Sequence, residues 1–426
     1  MDYSEAIAYL DAHIGLGGEP GLERIRQLLD DMGEPHVGYP MIHVAGTNGK
    51  TSTTRFATLL CLAHGLSTGT CISPHLQRIE ERYAIDGRFA TEEEFARAIT
   101  DVAVFADLRP EIPYSYFELV AAGAFAFFAD RAVDTAVIEV GLGGRLDATN
   151  VIDAEVCVVT SVGLDHVEYL GPDLAGIAAE KAAIAGPQSV LISGPMEDVA
   201  HKVMVSRARE LGIHHRSFGR DFDVVTADIG VGGWLATMRG AEAEYPDVFV
   251  PIHGRHQLTN LAMAIAAVEA LFGRALNLDA VREAALAATM PGRMEPVSRS
   301  PLVLIDGAHN EQGMEVLVAA LREEFPTTRW HLVFGAMGDK DIPGMLANIA
   351  PLADGIVVTA VDHPRAVPPA DLVEEARRVF DGPVLATDEI GDAVDMARAE
   401  AGPDGAVLVC GSLYLVGEVR DLFVID

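Results

Sequence analysis

The chain has 426 residues, half of them hydrophobic, and a formal net charge of -32 at pH 7, enough length for two or three domains with separate cores. So acidic a balance excludes nucleic acid as a partner, because a phosphate backbone selects a basic surface. No membrane association is expected either, since no apolar run approaches the roughly 20 residues of a bilayer span and the start Met1-Asp2-Tyr3-Ser4-Glu5 lacks a basic export region; Cys61, Cys71, Cys157 and Cys410 are widely spaced without a CxxC pair, which points to reduced thiols in cytoplasm.

Residues 1–40 carry apolar positions at helical spacing (Ile7, Leu10, Ile14; Leu22, Ile25, Leu28, Leu29) and end at Pro35 and Pro40. The strand Met41 to Ala45 then runs into Gly46-Thr47-Asn48-Gly49-Lys50-Thr51, and a helix is expected from Thr51 to His64. Strand, glycine turn and helix start are how backbone amides are aimed at a phosphate, with Lys50 reaching the β and γ oxygens and a Thr51 or Ser52 hydroxyl available to Mg²⁺. The strict phosphate-loop pattern asks for glycine where this chain has Val44. A strand running into a polar turn over Thr68 to Leu76, helices Glu92 to Leu108 and Phe117 to Ala129, and strands Thr135 to Val140 and Val156 to Ser161 follow. Residues 187–255 read as one strand, one helix and hairpins, and an alanine-rich helix follows Gly254. Pro291-Gly292-Arg293 breaks the pattern, and strand signals at Leu302 to Ile305, His331 to Phe334, Gly355 to Thr359 and Ala406 to Cys410 alternate with helices. The expected fold is therefore α/β: a P-loop parallel-sheet ATPase domain over 1–295, then a smaller Rossmann-like doubly wound domain over 296–426.

Most candidate chemical groups fall where strands end, the edge at which open parallel sheets bind ligands. Glu139 closes an apolar strand, as a metal ligand or as a capping acid. His166, after Asp165, is a second candidate ligand or a structural histidine, and Ser73 in Ser73-Pro74-His75 offers a hydroxyl or simply a turn. Lysine is scarce: Lys50, Lys181, Lys202 and Lys340 stand against 27 arginines, the remainder of 31 basic residues. Lysines kept inside motifs are then candidates for roles that need a compact or nucleophilic amine. Lys181 lies in an otherwise small and apolar helix, either as a buried amine of lowered pKa or as a surface residue paired with Glu180. Asp306 through Asn310 and Asp339-Lys340-Asp341 are polar clusters on loops after strands.

Together these pieces resemble the Mur-type ligase superfamily, and within it the folylpolyglutamate synthetase and dihydrofolate synthetase family. The resemblance runs in family order through His43 to Lys50, Ser73 to Leu76, Tyr116 to Glu118, Glu139 to Asn150, Asp165-His166, Glu180-Lys181, His256-Gln257 with Asn260, Pro291 to Arg293, Asp306 to Asn310, Lys340-Asp341 and Gly411 to Tyr414. It implies a ligase in folate biosynthesis and one-carbon metabolism that adds L-glutamate to dihydropteroate or to the tail of a reduced folate. ATP would phosphorylate the acceptor carboxylate, and the glutamate amine would attack the acyl phosphate. Carried over by residue, Gly46, Thr47, Asn48, Gly49, Lys50, Thr51 and Ser52 bind the ATP phosphates. Ser73 and Glu139, with Thr51 or Ser52, hold a first Mg²⁺, and His166 with a carbamylated Lys181 helps hold a second. Asn260, Arg293 and Asp306 match adenine, phosphate and ribose contacts, and His309 lies by the transferred phosphate, which puts Lys50, Lys181 and His309 in catalytic roles. Phe117, Glu118, Leu119, Leu146, Asp147 and Ala148 match the pterin pocket; Lys340, Asp341 and Ser412 are assigned to glutamate. A monomer is expected by the same resemblance.

One departure stands out: Gly49-Lys50-Thr51-Ser52 replaces the Gly-Lys-Gly-Ser usual in folate members and is closer to the peptidoglycan ligases. Two further readings follow, a ligase acting on a UDP-muramyl or other carboxylate acceptor and a nucleotide-binding homologue that has lost catalysis. The second conflicts with the joint presence of Lys50, Glu139, His166, Lys181 and His309.

Overall fold

The structure is a computed structural model that describes residues 1–424. Two compact units are present: the first comprises Met1–Ala227, Leu235–Val250 and Leu258–Ala288, the second Asp228–Trp234, Pro251–Gln257 and the chain from Thr289 onward. Where the sequence suggested a division at 295, the contacts change allegiance after Ala288, because the chain from Thr289 already packs with the second unit.

The first unit is built on an eight-stranded sheet of β1 (Met41–Ala45), β2 (Thr68–Cys71), β3 (Tyr83–Ile85), β4 (Arg88–Phe89), β5 (Thr135–Glu139), β6 (Val156–Val159), β7 (Val190–Ser193) and β8 (His215–Ser217), in the order β4-β3-β2-β5-β1-β6-β7-β8. From β2 to β8 the strands are parallel, while β3 and β4 add an antiparallel edge. β1, β5 and β6 are buried along their whole length, as continuous apolar runs covered on both faces should be. Pairing Val44 with Glu139 and Ala45 with Val159 brings the carboxyl ends of these three strands to one edge. Helices cover the sheet, among them Lys50–Ala63, Tyr116–Asp130 and Leu174–Ala182.

Residues expected to form hairpins give a three-stranded sheet, β9 (Asp223–Gly230), β10 (Gly233–Arg239) and β11 (Glu244–Val250). The second unit carries β12 (Glu295–Arg299), β13 (Leu302–Ile305), β14 (Trp330–Phe334), β15 (Ala353–Thr359), β16 (Val384–Thr387) and β17 (Ala406–Cys410), ordered β12-β13-β17-β14-β15-β16. Only β12 runs antiparallel. Among the described residues no helix is long and apolar enough to cross a membrane.

Candidate active site

β1 ends at the glycine loop, and the shape of the loop depends on β6. Gly46 has φ 155° and Gly49 has φ 85°, a region only glycine enters readily. A Cβ on Gly46 would lie 1.9 Å from Thr160 Oγ1, so the close approach also requires glycine. Thr160 Oγ1 donates to the Asn48 carbonyl at 2.6 Å, Ser161 Oγ accepts from Asn48 N at 3.0 Å, and Thr47 N donates to the Ser161 carbonyl at 2.9 Å. Lys50 Nζ folds back to the carbonyls of Gly46 (3.0 Å) and Thr47 (3.3 Å). The helix Lys50–Ala63 begins here, which directs its first amides and positive dipole end at an anion.

Beside the loop, Glu139 is 1 % exposed. Its Oε1 accepts from Thr51 Oγ1 at 2.9 Å and its Oε2 accepts from Ser73 N at 3.2 Å. One carboxylate thus gathers the two hydroxyl residues named from the sequence, whereas Ser52 is buried at 3 % exposure. Among the described residues no three His, Cys, Asp or Glu side chains form a metal cluster. A single carboxylate with hydroxyls fits a hard cation that takes its remaining ligands from water and phosphate oxygens, as Mg²⁺ does.

Lys181 sits in the helix Leu174–Ala182, capped by Asp173, and is 4 % exposed. Burial, then the nearby Lys50 charge, lowers its pKa to about 7 against the opposing pull of Asp165 and Asp147. Glu180 pairs instead with Arg145 at 2.8 Å, so the surface-lysine alternative is corrected: i and i+1 do not face each other on a helix. Gly144 docks on the same turn, where a Cβ would meet the Glu180 carbonyl at 2.4 Å. This seats the 141–150 loop beside Lys181. His166 takes a left-handed conformation (φ 51°) at the start of the short helix Val167–Leu170, a strained geometry for a non-glycine residue.

The residues singled out over 117–119 and 146–148 divide into half-buried and internal groups. A Cβ on Gly141 would touch Phe117 Cζ at 2.6 Å, so the ring lies over that backbone, and Leu146 is half-buried. Glu118 instead accepts from Arg24 Nε, Ser115 N and Ser115 Oγ, which fixes the start of its helix. Asp147 accepts from Thr149 Oγ1 (2.5 Å), Thr149 N (3.0 Å) and Leu142 N (2.8 Å); burial raises its pKa against these bonds. His43 Nε2 lies 2.8 Å from Thr149 Oγ1 and donates to it, since that hydroxyl's proton goes to Asp147. Leu119 has no exposed surface and Ala148 only 5 %, so both belong to the core of the first unit.

Asn260 belongs to the first unit and presses on the phosphate loop: a Cβ on Gly49 would lie 2.6 Å from its Oδ1. In the second unit, Asp306 accepts from Met294 N (2.9 Å) and Ala308 N (2.8 Å), and Arg293 packs on Gly307, where a Cβ would meet Nη1 at 2.1 Å. His309 Nδ1 donates to the Gly307 carbonyl at 2.7 Å. Asp341 and Ser412 cap the helices Ile342–Ile349 and Leu413–Asp421, and Lys340 Nζ lies 3.7 Å from Asp339.

Sequence reasoning missed Thr160, Ser161, Arg82 and the His43–Thr149 link. Thr160-Ser161 at a strand end was a usable signal. Arg82 was hidden in the run Glu80-Glu81-Arg82, which reads as solvated charge.

Comparison with known proteins gives a consistent answer. Residues 44–268 match the Mur ligase middle domain and residues 292–413 the Mur ligase glutamate ligase domain. The dihydrofolate synthase/folylpolyglutamate synthase of Mycobacterium tuberculosis is 39 % identical, over 95 % of this chain and 90 % of that protein, and that of Bacillus subtilis is 30 % identical over 98 % of each. Among solved structures, Mycobacterium tuberculosis folylpolyglutamate synthase complexed with ADP superposes with TM-score 0.95 at 37 % identity, covering 100 % of this chain and 98 % of that one. E. coli FolC in complex with DHPP and ADP gives 0.88 at 30 % identity, covering 99 % and 97 %.

Proposed function

The chain belongs to the Mur ligase family, in its dihydrofolate synthase/folylpolyglutamate synthase branch, and from that premise we propose that it joins L-glutamate to dihydropteroate or to a reduced folate at the expense of ATP. The observation that carries this reading is the bridge Thr51–Glu139–Ser73 beside the glycine loop: a phosphate cradle with an oxygen-rich cation site on its flank. A carboxylate is a poor acyl donor, so phosphorylation must precede attack by the amine, and the chain's task is to orient the phosphate and offset its charge.

The loop amides and Lys50 bind the nucleotide phosphates, with Asn260 on the outer side of Gly49; Arg293 and Asp306 are proposed as further nucleotide contacts. Thr51, Ser73 and Glu139 would hold one Mg²⁺, and His166 with Lys181 a second. Mg²⁺ bound there supplies charge neutralisation at the phosphate oxygens. The case for Thr51 over Ser52 is its hydroxyl contact with Glu139. For Lys181 we propose a carbamate: its amine, neutral in half the molecules at a pH of about 7, attacks CO₂ and releases a proton, which turns a cation into an anionic oxygen ligand. His309 is proposed to lie beside the transferred phosphate, held through Nδ1 by the Gly307 carbonyl. Phe117, Leu146 and the Asp147 loop take the pterin portion, and Lys340, Asp341 and Ser412 the glutamate. The enzyme is proposed to act as a monomer in cytoplasm; four buried free cysteines support a reducing compartment.

The test is ADP release with ATP, Mg²⁺ and glutamate in the presence of dihydropteroate, tetrahydrofolate or a UDP-muramyl peptide. Turnover with either folate acceptor is expected. Turnover with the muramyl peptide alone would move the chain to the cell-wall ligases, and none with any acceptor would leave a nucleotide-binding protein without catalysis.

A further inference from the structure

Two arginines among the described residues are buried to more than nine-tenths, Arg82 at 7 % and Arg420 at 8 % exposure. Arg420 has the expected counter-charge, Glu295 Oε1 at 3.1 Å. Arg82 has none. Its Nε donates to His75 Nδ1 at 3.0 Å, its Nη1 donates to Ser73 Oγ at 3.3 Å, and its guanidinium carbon lies 5.9 Å from the Tyr116 ring centre. Both polar partners act as acceptors from the guanidinium, and neither is an anion. The adjacent Glu81 is no substitute, since its carboxylate accepts from the backbone N–H groups of Leu76, Gln77 and Arg78. A guanidinium withdrawn from water without an anion is costly. Its five donors in a planar fork match a carboxylate in two-point contact, and His75 and Ser73 take only two of the five.

The position identifies the anion. Thr51, Glu139, Ser73 and Arg82 form a chain of contacts, Thr51 Oγ1 to Oε1, Oε2 to Ser73 N, Ser73 Oγ to Nη1. Arg82 is therefore at the end remote from the phosphate loop and next to Tyr116, which precedes Phe117. We propose that Arg82 binds the carboxylate of the acceptor, the group that is to be phosphorylated, and delivers it to the Ser73 and Glu139 end of the site. This rests on the reading of the acceptor as a carboxylate. Arg82 is its electrostatic anchor, and His75 is a positioning residue that fixes the fork.

The experiment measures binding of dihydropteroate and of its analogue lacking the carboxylate to the full chain, for wild type, Arg82→Gln and Arg82→Lys. Wild type should prefer the carboxylate form by about thirtyfold, the range for a buried charge pair losing one partner. Arg82→Gln should abolish that preference, and Arg82→Lys, a point charge without the fork, should restore only part of it. Binding of a non-hydrolysable ATP analogue should stay within about twofold of wild type and shows that each variant is folded. Equal weakening of both compounds in Arg82→Gln would give Arg82 a structural role and overturn the proposal. So would loss of nucleotide binding in Arg82→Lys, which would assign the residue to the phosphate end or to folding. Wild type that binds neither compound would instead refute the folate reading, and this proposal with it.

Discussion

Thr51 and Ser52 are neighbours with the same functional group and opposite surroundings. The Thr51 hydroxyl touches Glu139, while Ser52 is enclosed in the helix packing. Thr51→Val should raise the Mg²⁺ concentration needed for half-maximal turnover by about tenfold or more, the scale of losing a group that holds or orients a metal ligand, and should cost more than Ser52→Ala. A magnesium titration that ranks them the other way would reverse the assignment. Lys181 invites a sharper test. Lys181→Ala should lose most activity and regain part of it with short carboxylic acids that supply the missing oxygen ligand. No rescue would remove the carbamate, and full activity would remove Lys181 from the mechanism. In the wild type, activity lost in CO₂-free buffer should return faster at pH 8 than at pH 6 when the same concentration of dissolved CO₂ is restored, because below a pKa of about 7 the protonated amine cannot attack.

At the scale of elements, the site is a set of strand ends fastened to one another. The glycine loop is held by the residues after β6, and Asn260 on the helix His256–Phe272 closes against it. Gly49→Ala combines a positive φ with a Cβ 2.6 Å from Asn260 Oδ1, so it should lower stability by about 1 kcal/mol or more and weaken nucleotide binding. Adding Asn260→Ala removes the clash but not the backbone strain, and melting curves should show partial recovery; none would refute the steric account. The central strands were legible in the sequence because β1, β5 and β6 are continuous apolar runs ending in glycine or polar residues. The edges were not: β3 and β4 are three and two residues long, and β16 has no buried position, so neither leaves a periodic signal. Thr51, Ser73, Glu139 and Lys181 were singled out by type and place, and the structure sets Thr51 and Ser73 against Glu139 and buries Lys181. Glu118 and Leu119 were named for a pocket, yet the carboxylate is used in capping and the leucine in the core, a distinction that depends on packing a linear pattern does not carry.

For the whole molecule, burial sets the response to acid. Burial lowers the pKa of His43 to about 3, of His75 to about 4 and of His215 to about 4, whereas in the unfolded chain each titrates near 6.5. Between pH 6.5 and about 4 the unfolded state therefore binds more protons, and stability falls as pH falls. Asp147 and Glu269, whose pKa values burial raises, act in the opposite sense because the folded state protonates first. His36, His256 and His363 are lowered as well and Glu418 is raised, so with six histidines against three acids the urea midpoint should be lower at pH 5 than at pH 7.5. An unchanged midpoint would show that the acids cancel the histidines.

The scarcity of lysine gives the molecule a built-in chemical reporter. An amine-reactive reagent meets only four side chains, and Lys202 on the helix Asp198–Leu211 is exposed while Lys181 is 4 % exposed and the Lys340 side chain 8 %. Lys202 can serve as the internal standard in a mass spectrum, so that the labelling of Lys50 and Lys340 relative to it follows the accessibility of each unit separately, one peptide apiece, without a substitution anywhere in the chain.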